Sequence, residues 1–103
     1  MKPLGPATVA ATAALVLGAA GCEPYGAYCE DRMNCLRGND MDVDACIIEL
    51  EAEEDRADLW GCADLWEELQ DCREEFSVCD ANDHFTDEDR CDSERERYHR
   101  CMP

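Results

Sequence analysis

Nine cysteines in 103 residues, spread from Cys22 to Cys101, are the side chains of this sequence with the most chemistry to offer. In an oxidising compartment thiols pair as disulfides, and a secreted domain seldom leaves one unpaired. Nine is an odd number. Setting Cys22 aside leaves Cys29, Cys35, Cys46, Cys62, Cys72, Cys79, Cys91 and Cys101, enough for four bridges. No Cys-x-x-Cys spacing occurs, so neither redox exchange nor a zinc site is indicated. His84 and His99 have no thiol to activate if the cysteines are oxidised, which removes a Cys-His nucleophile. Carboxylates number 26, so a close pair of them carries no catalytic signal. The expectation is a protein that is not an enzyme.

Cys22 differs from the other eight in what precedes it. Met1-Lys2 is a short positive start, and Pro3 to Ala20 is rich in Ala, Leu and Val, as the apolar part of a signal peptide is. A membrane-spanning helix needs about 20 strongly apolar residues, and this Ala-rich stretch is broken by Pro6 and ended by Gly18 and Gly21. The run closes on Ala19-Ala20-Gly21-Cys22, which resembles the lipobox of bacterial lipoprotein precursors, with Ala19 where that family most often has Leu. The resemblance implies that residues 1–21 are cleaved and that Cys22 carries a diacylglyceryl thioether and an amide-linked acyl chain such as palmitate. Glu23 in place of Asp after the modified cysteine implies sorting to the outer membrane. The competing reading is ordinary signal-peptide cleavage near Ala19 or Ala20. The lipobox agrees with the odd cysteine count, because lipidating Cys22 removes the odd thiol.

The mature chain expected from this, Cys22 to Pro103, has 82 residues. That is one domain at most, too small to rest on its apolar core alone. Residues 22–27 read as a spacer that holds residues 28–103 within roughly 20 Å of the anchor. The chain has a formal charge of −17, and loses Lys2 with the leader to become −18, with eight arginines as its only strong bases. Such a surface repels nucleic acid and anionic headgroups and attracts basic proteins, cationic polymers or divalent cations. High solubility alone is the plainer consequence.

The elements that must place the eight cysteines read as helices. One is expected from about Tyr28 to Arg37, stopped by Gly38-Asn39. A second starts near Asp42 to Asp44, whose carboxylates suit a helix N-terminus, and runs to about Cys79 with a possible break at Gly61. Along it Leu59, Cys62, Trp66, Leu69, Cys72, Phe76 and Cys79 recur at steps of three and four, one apolar stripe. Asp64, Glu67, Glu68, Asp71, Glu74 and Glu75 form the opposite, acidic face. Trp60 and Trp66 read as core and rim residues. Asp80 to Phe85 reads as a loop, and Thr86-Asp87-Glu88-Asp89 as a capping box that opens a last helix to about Cys101, with the stripe Cys91, Glu94, Tyr98 and Cys101. No strand pattern appears, so the fold class is all-α: a small, disulfide-stapled helical hairpin or three-helix domain.

Cys62 to Cys72 and Cys91 to Cys101 each enclose nine residues on the inward stripe of a helix. This resembles the twin CX9C hairpin of the coiled-coil-helix-coiled-coil-helix proteins, a mitochondrial family, over Cys62 to Cys101. The resemblance implies a geometry and no function: two antiparallel helices bridged outer to outer, Cys62 with Cys101, and inner to inner, Cys72 with Cys91. A rival pairs Cys79 with Cys91 and Cys72 with Cys101, leaving Cys46 and Cys62 for Cys29 and Cys35. On an unbroken helix Cys46 and Cys62 would be about 24 Å apart against about 9 Å for Cys29 and Cys35, so the rival needs a kink at Gly61.

One acidic stretch has metal-ligand spacing. Asp40, Asp42, Asp44 and Glu51 fall at positions 1, 3, 5 and 12 of a twelve-residue segment with Ile47 at position 8, which resembles an EF-hand calcium loop. Position 6 is Ala45, where the sharp turn wants Gly. A simple acidic helix N-terminus is the bland alternative, and no other cofactor is indicated. The expected protein is a small acidic disulfide-rich lipoprotein of the bacterial cell envelope. It would be bound to the membrane through Cys22 and serve a structural or protein-interaction role, with a calcium-binding lipoprotein as the alternative.

Overall fold

The computed structural model describes residues 24–103; the leader and the lipobox, Cys22 included, lie outside the described residues. Four helices make up most of this region: α1 (Gly26–Leu36), α2 (Asp40–Leu59), α3 (Ala63–Phe76) and α4 (Asp92–Cys101). Between α3 and α4 the chain forms one small antiparallel ladder, β1 (Val78–Cys79) with β2 (Phe85–Thr86), in which Val78 faces Thr86 and Cys79 faces Phe85. The domain is therefore a disulfide-stapled helical domain, with one helix more than the three expected and a two-residue strand pair that no alternating pattern announced.

The chain is divided by specific local devices. At the α1–α2 turn Arg37 takes a left-handed conformation (φ 63°) and the amide of Gly38 returns to the Met33 carbonyl at 2.8 Å, closing α1. Gly38 itself is needed for space, since a Cβ there would stand 2.9 Å from Asp42 Oδ2 and 3.0 Å from Met33 Sδ. Helix α2 then opens two residues earlier than expected. Asn39 Oδ1 accepts the Asp42 amide at 3.1 Å and Asp42 Oδ2 accepts the Asn39 amide at 2.9 Å, a reciprocal capping box. The α2 end is a Schellman motif. Gly61 is left-handed (φ 73°), the Cys62 amide reaches Ala57 O at 2.7 Å and the Gly61 amide reaches Asp58 O at 3.1 Å. The break at Gly61 is thus real, and it divides the long helical stretch into α2 and α3.

The expected capping box at Thr86–Asp89 does not form. Thr86 is in β2, and its Oγ1 accepts the Glu88 amide at 3.0 Å in a tight turn where Glu88 and Asp89 are both left-handed (φ 55° and 65°). Left-handed residues cannot start a right-handed helix. Helix α4 instead begins after Cys91, its N-cap. The expected 80–85 loop holds its shape through Asp80, whose Oδ1 accepts the Asn82 and His84 amides at 2.8 and 2.9 Å. These two bonds, the His84 one foremost, keep the Asp80 carboxyl below its ordinary range.

Four disulfides use all eight described cysteines: Cys29–Cys46, Cys35–Cys79, Cys62–Cys101 and Cys72–Cys91, with Cα separations of 5.5 to 6.0 Å. The last two bridge α3 and α4 outer to outer and inner to inner. Cys29–Cys46 bridges α1 to α2, and Cys35–Cys79 ties the end of α1 to β1. The rival connectivity is excluded even though the chain does break at Gly61, because Cys79 is taken by Cys35 and Cys91 by Cys72.

Bridged cysteines and a few large side chains share the core. Tyr25, Tyr28, Leu50, Ala57, Trp66, Leu69 and Tyr98 are buried around Cys29, Cys46, Cys62, Cys72 and Cys91. The stripe on α3 holds for Cys62, Trp66, Leu69 and Cys72 and fails at its start, where Leu59 is 81% exposed beyond the Schellman turn. All six acids of the expected outer face of α3 are exposed. Tyr25 is in the core and α1 begins at Gly26, so the independent spacer is shorter than the expected 22–27.

Candidate functional site

The acidic segment Asp40–Glu51 is not a loop. All of it lies in α2, where Asp40, Asp42 and Asp44 fan around the axis and Asp40 and Glu51 are separated by about 16 Å of rise. Asp42 is engaged in the capping box. These four carboxylates therefore do not converge on one point, and the calcium-loop geometry is replaced by an acidic helix N-terminus. Among the described residues no group of three or more His, Cys, Asp or Glu side chains is arranged to hold a metal ion. The histidines stay apart as well: His84 is exposed beside Asp80 (Nδ1 to Oδ2 3.4 Å), and His99 is an exposed residue of α4.

What the fold does bring together is a set of buried aromatics hydrogen-bonded to a half-buried and an exposed carboxylate, across three helices. Trp66 of α3 donates its indole N–H to Tyr25 Oη at 2.9 Å, and Tyr25 donates in turn to Glu54 Oε1 of α2 at 2.5 Å. Tyr98 of α4, its ring centroid 5.4 Å from that of Trp66, donates to Glu53 Oε2. Consecutive acids of α2 thus receive the two tyrosines, one on each side of Trp66. Glu53 is also paired with Arg56 at 2.7 Å. Burial first, and then the hydrogen bond to Glu54, pushes the Tyr25 hydroxyl up to about 12; burial and Glu53 push Tyr98 up as well. Both hydroxyls are therefore donors at neutral pH.

Two cavities flank this network. The larger, about 600 Å³, is lined by residues of all four helices, including Tyr28 and Arg32, Glu49 and Glu53, Arg73, and Arg95 and Tyr98. Arg95 is fixed there by Asp87 (2.5 Å), an acid only 8% exposed, and by Asp92 (2.7 Å). The Arg73 guanidinium stacks over Tyr28 with its carbon 5.4 Å from the ring centroid. The smaller cavity, about 350 Å³, opens on the other side of Trp66 and Tyr25, against Glu54, Ala63, Glu67, Gln70, Asp71 and Glu74. Among the described residues that line it there is no base. Gln70, only 3% exposed, donates Nε2 to Glu74 Oε2 at 3.2 Å, while its Oε1 has no hydrogen-bond partner among the described residues.

Sequence reasoning singled out neither Tyr25 nor Gln70. Tyr25 falls in a segment that reads as spacer. Gln70 had a usable signal, since it is four residues after Trp66 and next to Leu69, which places it on the inner face of α3. Of the other candidate residues, Cys22 lies outside the described residues, and the eight remaining cysteines are all structural. Among the described residues no helix is long and apolar enough to cross a membrane. Comparison of the chain with protein-family models, with curated proteins and with solved structures gives no match.

Proposed function

We propose that the chain is the precursor of a small acidic lipoprotein of the bacterial cell envelope. It is held at the outer membrane by lipid on Cys22 and serves as a structural or protein-interaction module rather than as an enzyme. The observation that carries this reading is cysteine pairing. The eight cysteines from Cys29 to Cys101 are bonded to one another, so none of them is left over for Cys22. A ninth cysteine that ends an apolar, small-residue leader and has no thiol to pair with suits a lipid attachment point. With Tyr25 already in the core, the folded part begins three residues after the anchor, which keeps the domain at the membrane surface. Two acyl chains give stable anchoring where one is marginal.

The test is to express the full chain in a lipoprotein-processing bacterium and follow the mature protein through salt washing of the membrane fraction. Wild type is expected to stay with the membrane, and mass spectrometry of its first peptide to show an acylated Cys22. Cys22→Ser should yield soluble or unprocessed protein with its eight other cysteines oxidised. Recovery of mature wild-type protein without lipid on Cys22, or a free thiol that appears only in the mutant, overturns the proposal.

A further inference from the structure

Among the described residues, Leu59 and Trp60 are the one pair of large exposed apolar side chains that are neighbours in sequence, at 81% and 55% exposure. They stand on the turn between α2 and α3, just before the left-handed Gly61. The Schellman motif does not ask for them. Its apolar positions are Ala57 and Cys62, both of which are buried. Exposed apolar residues scattered singly are ordinary, so the place of this pair in the fold decides what it means.

The chain enters the domain at the same end. Tyr25 is hydrogen-bonded to Glu54, five residues before Leu59, and to Trp66, six residues after Trp60. Pro24 lines one cavity with Glu54 and with Ala63, the first residue of α3. The entering chain is thus held between the two helices that the turn joins, and α1 runs away from that end. Along the α2 axis Leu59 is about 7.5 Å beyond Glu54, and two peptide steps carry the chain from Pro24 at most about 7.6 Å to Cys22. Lipid on Cys22 and the side chains of Leu59 and Trp60 can therefore occupy one layer. The other exposed apolar residues of α2, Ile48 and Met41, are about 16 and 27 Å back along the axis.

We infer that Leu59 and Trp60 enter the interfacial layer of the membrane that holds the anchor, so that the domain stands on its α2–α3 turn. Its other end, with the α1–α2 turn and the strand pair, then faces away from the lipid. The surface that receives them is zwitterionic phospholipid. A tryptophan ring, apolar with one N–H donor, suits the headgroup level, and a leucine beside it suits the start of the acyl region. Two side chains alone bind a bilayer weakly, but a tether of two residues makes their insertion intramolecular. Charge limits both depth and lipid type: Asp58 and Asp64 flank the turn and are exposed, and a domain of −18 is repelled by anionic headgroups. The inference rests on the reading of Cys22 as the lipid attachment point and adds how the domain is oriented on it.

The experiment places the mature lipidated protein in phosphatidylcholine vesicles with and without acyl-brominated phosphatidylcholine. Trp60 emission is taken as the difference between wild type and Trp60→Phe, in which buried Trp66 is the remaining tryptophan. It is expected to be blue-shifted from its position in vesicle-free Cys22→Ser protein, and to be lost in the brominated vesicles. Leu59→Asp, at an exposed position, is expected to reverse both changes. Ile48→Trp in the Trp60→Phe background puts the probe at another exposed site, and its emission is expected to survive bromine. Trp60 emission unchanged by bromine overturns the inference. So does equal quenching at positions 48 and 60, which would lay the domain on its side. A blue shift of Trp60 in vesicle-free Cys22→Ser protein that grows with protein concentration also overturns it, because a second copy of the chain then covers the pair. Acylation of Cys22 and salt-wash retention are read separately from Trp60 emission. If Cys22 carries no lipid, a maleimide phospholipid coupled to its thiol supplies the tether, and the same outcomes decide the inference.

Discussion

In the α3–α4 hairpin both disulfides lie within the pair of helices they hold, and the helix starts are themselves bridged cysteines: Cys62 is the N-cap of α3 and Cys91 the N-cap of α4, neither with a side-chain cap. The α1–α2 hairpin has one internal bridge, Cys29–Cys46, and sends its other cysteine, Cys35, away to Cys79 in the strand pair. Its turn and ends are set by hydrogen bonds instead, through the capping box at Asn39 and the left-handed residues Arg37 and Gly61. One hairpin is shaped covalently and the other by backbone chemistry. The α3–α4 hairpin should therefore collapse on reduction, while the α1–α2 hairpin should respond to single residues in its turns.

The largest expected effect separates the hairpins directly. Closing loops of 39 and 19 residues, Cys62–Cys101 and Cys72–Cys91 are worth about 4 and about 3 kcal/mol in the chain-entropy model. Together they match the whole stability of a small domain. Replacing all four cysteines by serine should abolish the near-ultraviolet circular dichroism of Trp66 and leave no cooperative thermal transition. Replacing only Cys29 and Cys46, whose bridge spans 17 residues and is worth about 3 kcal/mol, should lower Tm but keep a cooperative transition. If the first variant still melts cooperatively, the covalent account of the α3–α4 hairpin is wrong.

Next in size is Trp66, 5% exposed, stacked near Tyr98 and bonded to Tyr25, so that it joins both hairpins. Trp66→Ala should cost about 3 to 5 kcal/mol in chemical denaturation. Trp60, 55% exposed, should cost little under the same change. Equal costs at the two positions would show that Trp66 is not the joint between the hairpins.

The tyrosines give a pH signature of the same joint. Tyr25 holds its proton more tightly in the folded domain than its ordinary value of 10.0, up to about 12. A pKa raised on folding contributes stability that is fully present below the unfolded value and is lost as pH rises through the folded one. The domain should therefore lose stability between about pH 10 and 12, and titration by tyrosinate absorbance should show a component near pH 12 that disappears in Tyr25→Phe. A full set of tyrosines ionising together near 10 would mean that the Trp66–Tyr25–Glu54 chain is not formed in solution.

The same division explains what could be read from the sequence. The α3–α4 hairpin was legible because its cysteines fall on helical stripes at matched spacing, and periodicity is local information. Cys35–Cys79 was not, because Cys79 leaves the α3 stripe at Ser77 and is presented by a two-residue strand that exists only once Phe85 and Thr86 pair with it. The acids misled twice. Asp40, Asp42, Asp44 and Glu51 have calcium-loop offsets, but helix formation from the Asn39 cap spreads them along an axis. Thr86 to Asp89 has capping-box offsets, but the left-handed turn at Glu88 and Asp89 directs Thr86 to a strand. With 26 carboxylates in the chain, such offsets arise often, and only the backbone decides which of them acquires a partner.

The smallest effects test the α1–α2 turns, and they should have opposite signs. Asn39→Ala removes the capping box and should cost about 1 kcal/mol. Gly61→Ala puts a Cβ on a left-handed residue; nothing lies within 4 Å of that Cβ, so the cost, about 1 to 2 kcal/mol, is purely conformational. Arg37 is the reverse case, a non-glycine residue already carrying that conformational cost at φ 63°. Its side chain offers little in return. Its ion pair with Asp83, at 3.2 Å, joins groups that are 82% and 54% exposed, and such pairs contribute between nothing and about 1 kcal/mol. Arg37→Gly relieves the strain but loosens the unfolded chain by up to about 1 kcal/mol. A neutral to slightly stabilising change is expected, within about 1 kcal/mol of wild type, where an ordinary exposed arginine replaced by glycine in a helix would lose about that much. Urea denaturation of Arg37→Gly beside Arg37→Ala resolves it. The alanine variant keeps the strain and loses the ion pair, so it should be the less stable of the two. The opposite order would mean that the left-handed turn at Arg37 does not terminate α1, and that the backbone account of this hairpin fails where it is most specific.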